Sequence, residues 1–135
     1  MTATLLDGKA IARDIRAGIK SRAAALRQRH GVTPGLAVVL VGRNPASRLY
    51  VNNKIKACAE VGIRSLLHEY PVEVDPAELI DLIKRMNADS AIHGILVQLP
   101  LPAHHDIQTV LRTIAMEKDV DGFHLYNVGG LVIGN

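Results

Sequence analysis

Aromatic residues are scarce in this chain: one phenylalanine, three tyrosines and no tryptophan among 135 residues. With so few rings to stack on bases, and with basic residues scattered so that Arg27-Gln28-Arg29 is their densest group, nucleic acid is not the expected partner. The formal net charge of +3 suits a small polyanionic molecule equally well. Cysteine occurs once, at Cys58, which excludes an intrachain disulfide and a cysteine-based zinc site and reads as a small buried hydrophobe on a helix. No apolar run approaches about 18 residues. The opening MTATLLDGKA also lacks a basic segment followed by an apolar one. The expectation is a cytoplasmic protein with no membrane contact. Internal repeats and low-complexity stretches are missing too.

What remains is an ordinary globular composition, 48% hydrophobic and 21% charged, at a length that buries a core without staples. From Asp7 to His30 the residues Ile11, Ile15, Ile19, Ala23 and Leu26 keep helical spacing, with Asp7 as N-cap and Gly31 as stop. LAVVLVG (36–42) is a continuous apolar run, as in a strand covered on both faces. Asn44-Pro45 opens a helix to Gly62. IRSLLHEY (63–70) reads as a strand. Asp75-Pro76 opens another helix, with Glu78 in capping-box spacing and Leu79, Ile80, Ile83 and Met86 inward. IHGILVQL (92–99) reads as a buried strand cut by Pro100 and Pro102, and Asp106 caps a helix bearing Ile107, Val110, Leu111 and Ile114. This alternation predicts an α/β fold with a mainly parallel sheet between helical layers. Ligands bind beyond the carboxyl ends of such strands. GRNPASRLY and VQLPLP leave two of those ends and are expected to lie near one another.

Tyr50-Val-Asn-Asn-Lys54 places a phenol one helical turn before an ammonium. On that helix Val51, Ile55, Cys58 and Gly62 form one stripe, Ser47, Tyr50 and Lys54 a second beside it, and Asn52, Lys56 and Glu60 point away. An amphipathic tyrosine and a snorkelling lysine rimming a core give the same spacing. Short-chain dehydrogenases also use Tyr-x-x-x-Lys, but only after a glycine-rich dinucleotide turn, and VGRNPAS has none. Gln98, at a strand end, needs a polar partner, which a loop backbone alone also provides. Lys118-Asp-Val-Asp-Gly122 lacks the further acidic ligands of a calcium loop and reads as a turn. His104-His105 beside Asp106 suggests zinc at first sight. Adjacent loop side chains are expected to point apart, so no metal is assigned.

Three segments, VGRNPASRLYVNNKIKACAEVGI (41–63), GILVQLPLP (94–102) and KDVDGFH (118–124), resemble in order and spacing the bifunctional methylenetetrahydrofolate dehydrogenase/cyclohydrolases of one-carbon metabolism. The resemblance implies a three-layer α/β/α fold of the kind found in the N-terminal domain of amino-acid dehydrogenases. It implies a folate-binding catalytic domain over 1–120 and a substrate-contacting loop leading toward a second domain over 121–135. It also implies roles: Lys54 as catalytic lysine, Tyr50 as the ring on which folate lies, Gln98 as the lysine's hydrogen-bond partner, and Asp121 as anchor of the pterin's amino edge. Ser47, Leu99 and Pro100 complete the substrate contacts. Members oxidise 5,10-methylenetetrahydrofolate with NADP⁺ and hydrolyse the methenyl product to 10-formyltetrahydrofolate. A lysine serves as proton carrier there only when its surroundings bring its pKa below about 10.4.

Two departures, Leu125 for a frequent proline and Gly130 for a frequent arginine, are expected in a loop. A larger one is length: the family's glycine-rich NADP-binding domain and final helix do not appear. The expectation is an N-terminal domain alone, of a homodimeric parent, with its own oligomeric state open. The alternatives are a folate-binding domain without turnover and a self-associating module.

Overall fold

In a computed structural model that describes residues 6–134, the helices begin and end where their caps require. The first five residues of MTATLLDGKA, and Asn135, lie outside the described residues. Helix α1 spans Gly8–His30; the Asp7 carboxylate accepts from the Lys9 and Ala10 amides, and Gly31 closes it at φ 67°, a left-handed conformation suited to glycine. Strand β1 is Gly35–Val41, helix α2 Pro45–Val61 and strand β2 Arg64–Tyr70. Helix α3 follows at Pro76–Ala88, strand β3 at Gly94–Val97 and helix α4 at Ile107–Thr113. A single 3₁₀ turn (Met116–Lys118) and helix α5 (Leu125–Ile133) complete the chain.

The sheet is parallel, in the order β2-β1-β3. Central β1 explains its own sequence: Ala37, Val39 and Val41 meet α3 and α4 on one face, while Val38 and Leu40 meet Val51 of α2 on the other. A strand buried on both sides cannot alternate apolar with polar. Helix α1 packs along α2 on its side of the sheet, which gives the expected three layers. The chain steps from β1 to β2 in one direction and from β2 to β3 in the other. Two right-handed crossovers then put α2 and α3 on opposite faces and open a crevice between the carboxyl ends of β1 and β3.

Several expectations are corrected. The third strand is shorter than 92–99, because the prolines after Gln98 end it, although the His93 and Gln98 amides still donate to Gly35 and Val39 carbonyls. Leu82 joins Leu79, Ile83 and Met86 in the core, and Ile80 is only half-buried. Of the α1 stripe only Ala23 is buried; Ile11 and Ile15 are 50% and 57% exposed. Residues 125–133 are a helix within the stretch expected to be a loop, so Leu125 and Gly130 are helical positions. Leu125 is the first residue of α5, where proline is also well suited.

Candidate functional site

The β1–β3 crevice is built from two strand ends and one helix. After β1, Gly42 turns at φ 81° and donates its N–H to the Tyr70 carbonyl at 2.9 Å, tying the ends of β1 and β2. Asn44 then caps α2, its side-chain oxygen accepting from the amides of Ala46 (2.9 Å) and Ser47 (3.2 Å). Val51 and Cys58 bury one face of α2 against the sheet. That packing fixes the rotation of the helix and therefore where its margin points. Ser47 is buried, Lys54 half-buried, and Tyr50 stands 62% exposed one turn before the lysine.

Lys54 Nζ donates to Gln98 Oε1 at 3.3 Å. The Gln98 amide nitrogen donates to the Leu99 carbonyl at 2.8 Å, so the oxygen is the end left for the lysine. The half-buried Gln98 is thereby satisfied by both readings of its sequence position: it bonds the loop backbone and the lysine together. Gln98 of VQLPLP thus meets α2 at Lys54, four residues beyond the end of GRNPASRLY. Leu99 is half-buried, Pro100 exposed, and the peptide between them is cis.

Asp121 is exposed and makes no hydrogen bond among the described residues. Its segment is placed by a parallel bridge between Ile95 and Asp119, which runs the chain alongside β3 toward the edge that carries Gln98. Sequence reasoning passed over the residues that hold this segment. Lys118 Nζ donates to the carbonyls of Met86 (3.1 Å), Asn87 (2.7 Å) and Asp89 (2.8 Å), satisfying the end of α3. Asp119 accepts from two backbone amides and from Asn127. Burial alone raises the Asp119 pKa, but the bonds from Asn127, His124 and Gly122 outweigh it and hold the carboxyl below its ordinary value. The available signal was an aspartate opening a turn, whose side chain bonds the backbone ahead of it.

The histidines differ from expectation. Instead of pointing apart, the His104 and His105 rings lie 4.2 Å between centroids. His104 Nε2 lies 3.1 Å from the Val74 carbonyl, and His105 is buried with both ring nitrogens unpaired. Burial, then the neighbouring His104, lowers the His105 pKa, with Asp75 opposing. No cluster of metal-ligating side chains occurs among the described residues. An open cavity of about 580 Å³ lies beyond β1 and β2, lined by Arg43, Arg48, Glu69, Tyr70 and Glu73 among others. It does not include Lys54 or Gln98, and the convergent polar groups rather than this hollow mark the candidate site.

Residues 6–121 match the family model for the catalytic domain of tetrahydrofolate dehydrogenase/cyclohydrolase. The bifunctional protein FolD of Polaromonas sp. strain JS666 is 58% identical over 134 residues, covering 99% of this chain and 47% of that protein. Among solved structures, the Campylobacter jejuni bifunctional FolD superposes with a TM-score of 0.94 at 48% identity, over 97% of this chain and 46% of that one. Trypanosoma brucei FolD, complexed with NADP cofactor and inhibitor, also gives 0.94, at 38% identity over 98% and 46%. The chain spans about half the length of the curated relatives it matches. It belongs to the tetrahydrofolate dehydrogenase/cyclohydrolase family, through that family's catalytic domain.

Proposed function

We propose that this chain is the folate-binding catalytic part of a methylenetetrahydrofolate dehydrogenase/cyclohydrolase. It takes part in oxidising 5,10-methylenetetrahydrofolate to the methenyl cation, with NADP⁺ as hydride acceptor, and in hydrolysing that cation to 10-formyltetrahydrofolate. The observation that carries the reading is the Lys54–Gln98 contact at 3.3 Å in the crevice between β1 and β3, where an α/β sheet takes its ligand.

In the hydrolysis, the oxygen of a water bonds to the one-carbon bridge and a proton passes to Lys54 Nζ. The bond from that carbon to N5 breaks as N5 takes a proton, leaving the formyl group on N10. One proton of the water ends on N5 and the other is released. An amine accepts a proton only in its uncharged form. Gln98 Oε1, accepting from Nζ at 3.3 Å, holds the lysine head in place for this step. Tyr50, exposed on the same face, offers the ring on which the folate lies. Asp121 takes the pterin's amino edge, and Ser47, Leu99 and Pro100 are assigned to the wall.

NADP is a poor fit to the residues of this chain. The Asn44 side chain already occupies the Ala46 and Ser47 amides at the start of α2, and no glycine-rich turn precedes them, so a pyrophosphate finds no free helix N-terminus there. The hydride acceptor is assigned to residues outside this chain. The whole protein is further read as cytoplasmic and homodimeric, with a folate as its small-molecule partner and neither nucleic acid nor membrane. No helix among the described residues is long and apolar enough to cross a bilayer.

The test joins this chain to the second half of the Polaromonas relative and follows absorbance with methylene- and methenyl-folate. The chimera is expected to carry out both reactions, and the 135-residue chain alone to reduce no NADP⁺. A folded but inactive chimera, or NADP⁺ reduction by the chain alone, contradicts the reading. The exposure of Leu131, Val132 and Ile133, at 77–83%, favours a second reading in which the isolated chain self-associates. Light scattering that is unchanged across concentration excludes it.

A further inference from the structure

The turn that displays Asp121 is organised around one carboxylate. Asp119 Oδ1 accepts from the Gly122 N–H at 3.1 Å. Its Oδ2 accepts from the His124 N–H at 2.8 Å and from Asn127 Nδ2 at 2.9 Å. Asn127 belongs to α5 and donates as well to the Met116 carbonyl at 3.0 Å. One side chain therefore joins the 3₁₀ turn, the loop and the first turn of α5. Gly122, at φ +72°, lets the loop fold back over the carboxylate that receives its amide. Lys118 fastens the entrance to three carbonyls at the end of α3. Asp121 lies between these anchored points, with an exposed side chain bonded to nothing among the described residues.

We propose that Asp119 is a positioning residue: by gathering the Gly122, His124 and Asn127 donors it holds Asp121 at the crevice edge, and so sets folate affinity without touching the folate. The proposal rests on the anchoring role assigned to Asp121 above. Asparagine at 119 keeps the volume but offers one acceptor oxygen to three converging donors, and its own NH₂ faces at least one of them. The orientation of the turn is then no longer dictated. On this proposal the loss of affinity passes through Asp121, and that makes it separable from a general loss of structure.

The experiment is calorimetric titration of the chain with 5-formyltetrahydrofolate, a stable reduced folate, alongside hydrogen exchange at the Gly122 and His124 amides. Asp119→Asn is expected to weaken binding about tenfold, the scale of one hydrogen bond to a charged group, with the denaturation midpoint little changed. In an Asp121→Ala background the same substitution is expected to cost less than about twofold, because coupled residues are not additive. Equal losses in both backgrounds, or unchanged binding by Asp119→Asn, overturn the proposal. If the unsubstituted chain fails to bind, the folate reading falls with it. The positioning claim is then decided by exchange: Gly122 and His124 amides protected in the unsubstituted chain and released by Asp119→Asn support it, and equal protection refutes it.

Discussion

The two sides of the proposed site are held by different physics. Lys54 rides on a helix whose orientation is set by apolar burial, with Val51 packed on Val38, Leu40 and Leu96. Asp121 hangs in a loop whose shape depends on hydrogen bonds to Lys118, Asp119 and Asn127. Burial is non-directional and shared among many atoms, so the first side resists any one surface change. Directional bonds converging on a single carboxylate fail together when that group is lost. The contrast suits the assigned roles: a proton carrier needs a fixed position, and a substrate anchor has to let its ligand in and out.

The comparison breaks most completely if the packed side is hollowed. Leu40 is 1% exposed in the centre of the sheet, and Leu40→Ala is expected to lower global stability by about 2–5 kcal/mol, measured by denaturant unfolding. A loss below about 1 kcal/mol would mean that α2 is not held by this cluster. On the polar side, the Asn87 side chain donates to the Thr113 carbonyl at 2.6 Å and accepts from the Ala115 amide at 2.9 Å, tying α3 to the approach to the turn. Asn87→Ala leaves a half-buried amide and carbonyl short of these partners and should cost about 0.5–1.5 kcal/mol. If the division between the two sides is real, the loss appears as faster amide exchange over residues 115–124 and spares β1.

A smaller, pH-dependent effect belongs to His105. Its folded pKa lies below the ordinary 6.5 because burial disfavours the imidazolium, with His104 adding to this and Asp75 opposing. The unfolded chain then binds the proton more readily than the folded one. The stability tied to neutral His105 is full above about pH 6.5 and is lost as pH falls through that value toward the folded pKa. His105→Leu should flatten the fall in denaturation midpoint between pH 7.5 and 5.5. Parallel curves for the two proteins would show that His105 is not the group that titrates.

Legibility in the sequence follows the same divide. The caps at Asp7, Asn44, Asp75 and Asp106 are local chemistry, each satisfied by amides two or three residues ahead, and β1 announced itself because a strand buried on both faces is apolar throughout. Lys54 and Gln98 were readable as polar residues at the margins of apolar elements, and their pairing was implied by the family resemblance rather than by the spacing. Helix α5 escaped notice because Gly129 and Gly130 sit in its middle, at about 1 kcal/mol of propensity cost each relative to alanine. Asp119 was indistinguishable from any turn aspartate, since two of its three donors, His124 and Asn127, lie five and eight residues ahead. The α1 stripe had helical spacing but buries only Ala23: periodicity reports which face is apolar, not what covers it.

The most direct test of the account compares Lys54→Met with Asp121→Asn in the chimera, reading kcat and KM for methenyl-folate hydrolysis separately. Methionine keeps the unbranched stem and removes the titrating nitrogen, so kcat is expected to fall about 10²–10⁴-fold with KM changed only a few-fold. Asp121→Asn removes a charged hydrogen-bond acceptor remote from the bridge, so KM should rise by the equivalent of about 1.5–3 kcal/mol with kcat nearly unchanged. The opposite split, in which Lys54→Met raises KM at constant kcat and Asp121→Asn abolishes turnover, would contradict the division of the site into a packed proton carrier and a hydrogen-bonded anchor.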